Sequence, residues 1–213
     1  MRGILIGVLS LWLVISASSY GQQPTSTTKT TTRDDENPSG RKHRKGFVIG
    51  LGLGPGYTTY KFDVAGYGST KSQDKFGVSS DFKIGYAPSD QVIICWMSKV
   101  AWYSEEMMDY SYYYGITTKD ITVANGVGAV GVCYFFRPWA PSPYIFGGLG
   151  YSSFSTPFDN YKSSTGFGLT LGGGIEFARH WCIEGSLVYG NPSDAGVTMK
   201  STSLKVTLNW LGY

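Results

Sequence analysis

The sequence predicts an all-β fold, specifically an eight-stranded antiparallel up-and-down transmembrane β-barrel. Glycine accounts for 29 of the 213 residues and aromatic side chains for 15%, whereas charged residues make up only 15%. From residue 46 onward, apolar and small or polar side chains alternate with the period of two that is typical of strands. Short and long connections alternate between the eight segments, which places all tight turns at one end of the barrel.

The first 45 residues are predicted to lie outside the barrel. Residues 1–21 combine a basic start, an apolar run and small residues, the pattern of a cleaved signal peptide. Residues 22–45 are rich in threonine and end in the basic cluster Arg41-Lys42-His43-Arg44-Lys45. We interpret them as a disordered, solvated tether, with contact to anionic lipid headgroups as the alternative. The remaining residues carry 11 basic and 12 acidic side chains, which does not indicate a nucleic-acid surface.

Six segments define two distinct faces, and two do not. The alternation is clear in 76–86, 166–177, 181–190 and 204–210, and is present in 46–57 and 91–103. In the first of these, the side chains predicted to share one face are Phe76, Val78, Phe82, Ile84 and Tyr86. Segments 120–136 and 144–154 carry apolar residues and glycine on both faces, so the pattern leaves their facing open.

The large apolar side chains are predicted to face lipid and the glycine-rich side to face the lumen. Glycine suits a narrow, crowded interior but makes a poor solvated surface. Aromatic residues near the strand ends fit the girdles found at membrane interfaces: Tyr57, Tyr86, Trp102, Phe136, Trp181, Tyr189 and Trp210. The alternative is a soluble, lipocalin-like barrel whose apolar face encloses a ligand.

Four stretches of the chain resemble a known family. These are Cys133-Tyr134-Phe135-Phe136, the run from Ser142 to Tyr151, the run from Gly172 to Phe177, and Trp181-Cys182-Ile183-Glu184-Gly185. In this order they are similar to the small outer-membrane β-barrel family related to the transmembrane domain of outer-membrane protein A. The resemblance implies an outer-membrane location and an eight-stranded barrel. It also implies that the final strand, ending at Tyr213, is recognised by the barrel-assembly machinery. We also expect a monomer in contact with outer-membrane lipid and lipopolysaccharide.

Six charged residues are predicted to point into the lumen: Asp81, Lys83, Lys99, Glu176, Glu184 and Lys205. Isolated charges in a low-dielectric interior are costly, so we expect these three acids and three bases to pair. An eight-stranded barrel has an interior just wide enough for side chains, which favours a filled lumen. The alternative is a small ion-conducting channel in which the pairs rearrange.

The second long connection is a candidate surface-binding loop. It contains Tyr110, Tyr112, Tyr113 and Tyr114. Tyrosine provides large contact area at low entropy cost, so an extracellular ligand is one interpretation. An aromatic collar at the membrane interface is the other.

The remaining candidates for chemistry are weak. Cys95 and Cys133 fall at similar heights on neighbouring strands, so a disulfide and simple packing are both open. His43 and His180 lack the spacing of metal ligands, and no serine nucleophile is paired with either. We therefore expect no enzyme activity, cofactor or metal, and a structural or surface-interaction role.

Overall fold

The computed structural model describes residues 44–111, 115–158, 163–194 and 196–213. Within these ranges the chain forms eight long strands and one two-residue strand. They are β1 (Gly46–Val64), β2 (Gly68–Ser69), β3 (Gln73–Ser89), β4 (Val92–Ser111), β5 (Gly115–Phe135), β6 (Ser142–Ser155), β7 (Ser164–Ala178), β8 (Trp181–Asp194) and β9 (Val197–Gly212). No helix among the described residues is long and apolar enough to cross a membrane.

The sheet closes on itself, as predicted for an up-and-down barrel. Each long strand pairs antiparallel with the next long strand along the chain, and β2 pairs only with the end of β1. The last strand returns to the first, from Ile49 opposite Gly212 to Val64 opposite Val197. Closure removes the two open edges that a flat sheet of these strands would expose.

The predicted facing is confirmed in the segments where alternation is clear. In β3, Phe76 and Tyr86 are exposed on the outside, whereas Asp81 and Lys83 are buried inside. The structure also defines the facing of the two strands that the sequence leaves open. In β5 the odd-numbered residues from Ile121 to Phe135 point inward, and in β6 the even-numbered residues from Ser142 to Ser152 do so.

The outer wall carries a continuous belt of exposed apolar side chains. It includes residues that are more than half exposed, such as Phe76 at 75%, Leu53 at 65% and Val130 at 65%. In β3 the belt runs over residues 76–86, about 34 Å of strand. A strand tilt of about 40° reduces this to about 26 Å, close to the ~25 Å apolar band of outer-membrane barrels. The belt therefore faces hydrocarbon, and the soluble alternative with the apolar face inside is wrong.

Three of the four predicted long connections are largely strand instead of loop, and the exception is 155–165. In the second of them, 104–119, β4 and β5 pair out to Ser111 opposite Gly115. Segments 61–75 and 191–202 are likewise mostly strand. Beyond the belt neither face meets lipid, so both faces can be polar and the alternation disappears even though the ladder continues. We call this side the long-loop end, and the side with the turns after β3, β5 and β7 the short-turn end.

A charge placed in the belt should destabilise the barrel. Leu53→Arg is expected to lower the free energy of unfolding by about 2–4 kcal/mol, the cost of arginine on the lipid face near the bilayer midplane. Thr202→Arg is the matched control, because Thr202 also points outward but lies beyond the belt. Urea unfolding in lipid vesicles measures both. Equal losses for the two variants would contradict the assignment of the belt to lipid.

Candidate functional site

A cluster of four charged side chains occupies the middle of the lumen; we call it the central ion-pair cluster (Asp81, Lys83, Lys99, Glu184). The Lys99 ammonium donates to Asp81 Oδ2 at 2.8 Å and also to Glu184. Lys83 pairs with the other oxygen of Glu184. All four side chains are almost fully buried. Such pairs offset the cost of removing each charge from water.

Strand register brings these residues together. Asp81 in β3 lies directly opposite Lys99 in β4, and Glu184 reaches them from β8 on the other side of the barrel. Neutral groups complete the hydrogen bonding. Thr207 donates to Asp81 Oδ2 at 2.7 Å, and the Tyr144 hydroxyl donates to Glu184 Oε2 at 2.7 Å.

Glycines in β1 make room for this filling. A Cβ atom at Gly52 would lie 2.1 Å from Asn209 Oδ1, and one at Gly56 would lie 2.1 Å from Ser79 Oγ. Neither separation is tolerable for a real side chain. The glycine-rich inner face predicted from the sequence therefore leaves the space in which side chains from β3 and β9 pack.

Glu176 belongs to a second, separate cluster, which closes the short-turn end. Its partner is Arg44, whose Nε donates to Glu176 Oε2 at 2.9 Å. Arg44 Nη1 donates to the backbone carbonyls of Asp90 at 2.7 Å and Arg137 at 2.9 Å. The Tyr213 hydroxyl donates to Glu176 Oε1 at 2.7 Å. We call Arg44, Glu176 and Tyr213 the Arg44 cap.

The location of Arg44 corrects its assignment to a solvated tether. The side chain is only 1% exposed, and its guanidinium lies 4.2 Å from the centre of the Phe135 ring. Within a run of basic residues, Arg44 carries no signal that separates it from its neighbours. The charge count gives no hint of it either, because the three acids and three bases predicted in the lumen already balance. The rest of that basic cluster before residue 44, and the predicted signal peptide, lie outside the described residues.

Lys205 is the sixth predicted lumen charge and differs from the others. It is fully buried, and its ammonium has no hydrogen-bond partner among the described residues. Counted with the central ion-pair cluster, it gives the middle of the lumen three basic and two acidic side chains.

An apolar cluster fills the lumen on the long-loop side of these charges. Its members are Tyr60, Ala101, Tyr103, Ile121, Val123 and Met199. The rings of Tyr60 and Tyr103 stack with their centroids 5.9 Å apart. Tyr60 also donates from its hydroxyl to Glu105 at the mouth of the barrel. We call this cluster the aromatic plug.

Charged groups also pair on the outer surface beyond the belt. Lys200 Nζ lies 2.6 Å from Asp63 Oδ2. Hydrogen bonds from Lys200 and Ser69 hold the pKa of Asp63 below its usual value, and the same pair raises the pKa of Lys200. Both groups are solvent-accessible, so this ion pair contributes little to folding.

The predicted surface loop is only partly visible. Tyr110 lies in β4, whereas Tyr112, Tyr113 and Tyr114 fall outside the described residues. His180 occupies the two-residue turn between β7 and β8, where Nδ1 lies 2.7 Å from the carbonyl oxygen of Leu211. Its ring also packs against Tyr213, with centroids 4.6 Å apart. In the described part of the chain, no group of three or more His, Cys, Asp or Glu side chains could hold a metal ion.

No family model and no curated protein matches the chain. Solved structures with a similar backbone include Ail, the attachment invasion locus protein of Yersinia pestis, at 13% identity and a TM-score of 0.44, covering 78% of this chain and 99% of that one. Neisserial surface protein A is 16% identical with a TM-score of 0.44, and the match covers 78% of this chain and 96% of that one. Outer membrane protein OprG of Pseudomonas aeruginosa is 12% identical with a TM-score of 0.47, and the match covers 80% of this chain and 98% of that one.

The chain is an outer-membrane-type β-barrel. The closed antiparallel topology and the apolar belt decide this, because a membrane-spanning sheet must leave no backbone edge in hydrocarbon. Its described interior is built from the Arg44 cap, the central ion-pair cluster and the aromatic plug. The candidate functional surfaces are therefore the lumen wall and the strands beyond the belt.

Breaking the central ion-pair cluster should cost much of the stability. Glu184→Gln keeps the shape of the side chain but leaves Lys83 and Lys99 with one carboxylate between them. We expect the free energy of unfolding to fall by about 3 kcal/mol, as for other buried pairs that lose one partner. Glu106→Gln is the control, because Glu106 is exposed on the extension of β4. Urea midpoints that agree for the two variants would show that no paired buried charge exists at Glu184.

Proposed function

We propose that the chain is an integral outer-membrane β-barrel with a structural or cell-surface interaction role and a filled, non-enzymatic lumen. The observation that carries this proposal is the filling of the lumen at successive levels. The Arg44 cap, the central ion-pair cluster and the aromatic plug follow one another from the short-turn end to the long-loop end. A small ion-conducting channel is the second candidate, favoured by the charged side chains midway through the barrel.

The topology supports a definite orientation in the membrane. Outer-membrane barrels have short periplasmic turns and longer extracellular connections. By this pattern the short-turn end and the Arg44 cap face the periplasm, and the long-loop end faces outward. The extensions of the strands beyond the belt then stand above the membrane, in contact with lipopolysaccharide headgroups and with the exterior.

The β4–β5 hairpin is one of these extensions. β4 stops pairing with β3 at Trp102, opposite Val78, and β5 starts pairing with β6 at Ala124, opposite Ser155. The two strands of the hairpin continue to pair with each other for nine further residues of β4, about 30 Å of strand. The hairpin therefore projects beyond its neighbours.

The projecting hairpin has the features of a docking element. Along 103–111 and 115–123 no described strand pairs with its two outer edges. Unpaired edges recruit extended polypeptide segments by adding a strand. The hairpin also bears the four tyrosines at 110 and 112–114, a residue type that adds contact area at low entropy cost. An extended segment of an extracellular protein is the partner that fits both features.

Three further proposals concern the family, the oligomeric state and the membrane insertion of the barrel. We propose kinship with the barrels related to the transmembrane domain of outer-membrane protein A, which rests on the order of the sequence stretches described above. We also propose that the barrel is a monomer inserted by the barrel-assembly machinery through its final strand ending at Tyr213. In this chain Tyr213 has a second role as well, because its hydroxyl completes the Arg44 cap.

Single-channel recording separates the two candidate functions. The full chain reconstituted in planar bilayers is expected to show no discrete conductance steps, because side chains block the lumen. The same recording is made with Glu184→Gln and Glu106→Gln. Steps in the wild-type protein that change with Glu184→Gln but not with Glu106→Gln would show that ions pass through the lumen, and the channel would replace the filled barrel.

Replacing residues 107–119 by Asn-Gly tests the docking role, because it removes the projecting hairpin and keeps β4 and β5 within the barrel. The probe is a random 12-residue peptide library displayed on phage and panned against the full chain in nanodiscs. Enriched peptides are expected to bind the shortened variant at least tenfold more weakly. A variant with Tyr110, Tyr112, Tyr113 and Tyr114 changed to serine separates the side chains from the backbone edges. Equal binding to the shortened and intact barrels, or no enrichment, would contradict the docking role.

A further inference from the structure

Three cysteines line one small cavity inside the barrel. Cys95, Cys133 and Cys182 are all buried free thiols, and they surround a space of about 10 Å³. The cavity lies on the short-turn side of the central ion-pair cluster, and Phe135 and Tyr144 form part of its wall. A space of this size holds about one water-sized particle, so a single atom or ion is the largest guest it accepts.

Two of the three thiols form a close pair. The sulfur atoms of Cys95 and Cys133 are 4.0 Å apart. The register places them diagonally, because Cys95 lies opposite Gly131 and Cys133 opposite Ile93. Diagonal neighbours in an antiparallel pair are separated by about 7–8 Å, whereas disulfides rarely bridge Cα atoms more than about 7 Å apart. The arrangement therefore fits a pair of free thiols better than the disulfide considered from the sequence.

The same separation suits a metal ion held between the two sulfurs. Thiolate–metal bonds are about 2.3 Å long, so one ion can join sulfur atoms up to about 4.6 Å apart. Thiolates select soft ions such as Cu(I) and Zn(II). Structural zinc requires four ligands, and no described group of three or more ligating side chains exists. A two-sulfur site is thus one for a monovalent, thiophilic cation.

The charge of the lumen supports this choice. A monovalent cation bound by two thiolates forms a complex of charge −1. Lys83, which lines the cavity and pairs with Glu184, is the basic residue nearest to such a complex among the residues that line this space.

We propose that Cys95 and Cys133 form a binding site for one Cu(I) ion inside the barrel. On binding, the two S–H bonds break, two S–Cu bonds form, and two protons pass to solvent. Neither the sulfur atoms nor the copper changes oxidation state. Cys182 lines the same cavity but is not part of the pair, which makes it the internal control.

Competition with a chromogenic Cu(I) chelator tests the proposal. The full chain is refolded in detergent under anaerobic, reducing conditions with Cu(I) present, so that entry into the closed barrel does not limit binding. We expect one Cu(I) per chain, at least 100-fold weaker binding by Cys95→Ser and by Cys133→Ser, and unchanged binding by Cys182→Ser. Binding that is absent in the wild type, or equal in all four proteins, would overturn the site.

Two further measurements keep the result independent of folding. Each variant is first checked for faster gel migration without boiling, which reports an intact barrel, and Cys→Ser changes little volume in the cavity. X-ray absorption at the copper edge should then show two sulfur neighbours, and two protons should be released per ion bound. Three sulfur neighbours, or loss of binding in a folded Cys182→Ser variant, would contradict the two-thiol geometry.

Discussion

The closure of β1 onto β9 is the constraint on which the rest of the structure depends. In hydrocarbon an unpaired backbone N–H or C=O group costs several kcal/mol, so a sheet that crosses the membrane cannot keep an edge. The ladder from Ile49–Gly212 to Val64–Val197 satisfies this requirement. Once the sheet is closed, the strand period of two assigns every residue to lipid or to the lumen. The apolar belt and the polar interior are both consequences of closure.

A closed barrel of eight strands leaves an interior in which charges must find partners. Asp81 and Lys99 face each other across adjacent strands, and Glu184 joins them from the opposite wall. A shift of one residue in any of these strands would turn its charge toward lipid. The cluster therefore favours the native strand register over registers shifted by one residue, whatever the cluster contributes to the free energy of unfolding. Arg44 serves the same purpose at the short-turn end, where it ties Glu176 to the carbonyls of two turns.

The sequence predicts those parts of the barrel in which lipid imposes a pattern. Strand β3 was assigned correctly because Phe76 and Tyr86 face hydrocarbon while Asp81 faces the lumen. The facing of β5 was open, because Val127 and Phe135 pack inside while Val130 is exposed to lipid. Beyond the belt no such asymmetry exists, and so the pattern predicts a loop where β4 continues to Ser111. Arg44 was missed because its partner, Glu176, is 132 residues away in sequence.

The same boundary separates the part of the barrel that membrane insertion constrains from the part that it does not. Within the belt each side chain faces either lipid or a crowded lumen. This leaves little room inside the barrel for a ligand larger than an ion. Past Trp102 the β4–β5 hairpin meets neither constraint. Ordering nine residue pairs beyond the belt still costs entropy. Membrane insertion does not require that extension, which supports the proposal that the hairpin docks an extracellular partner.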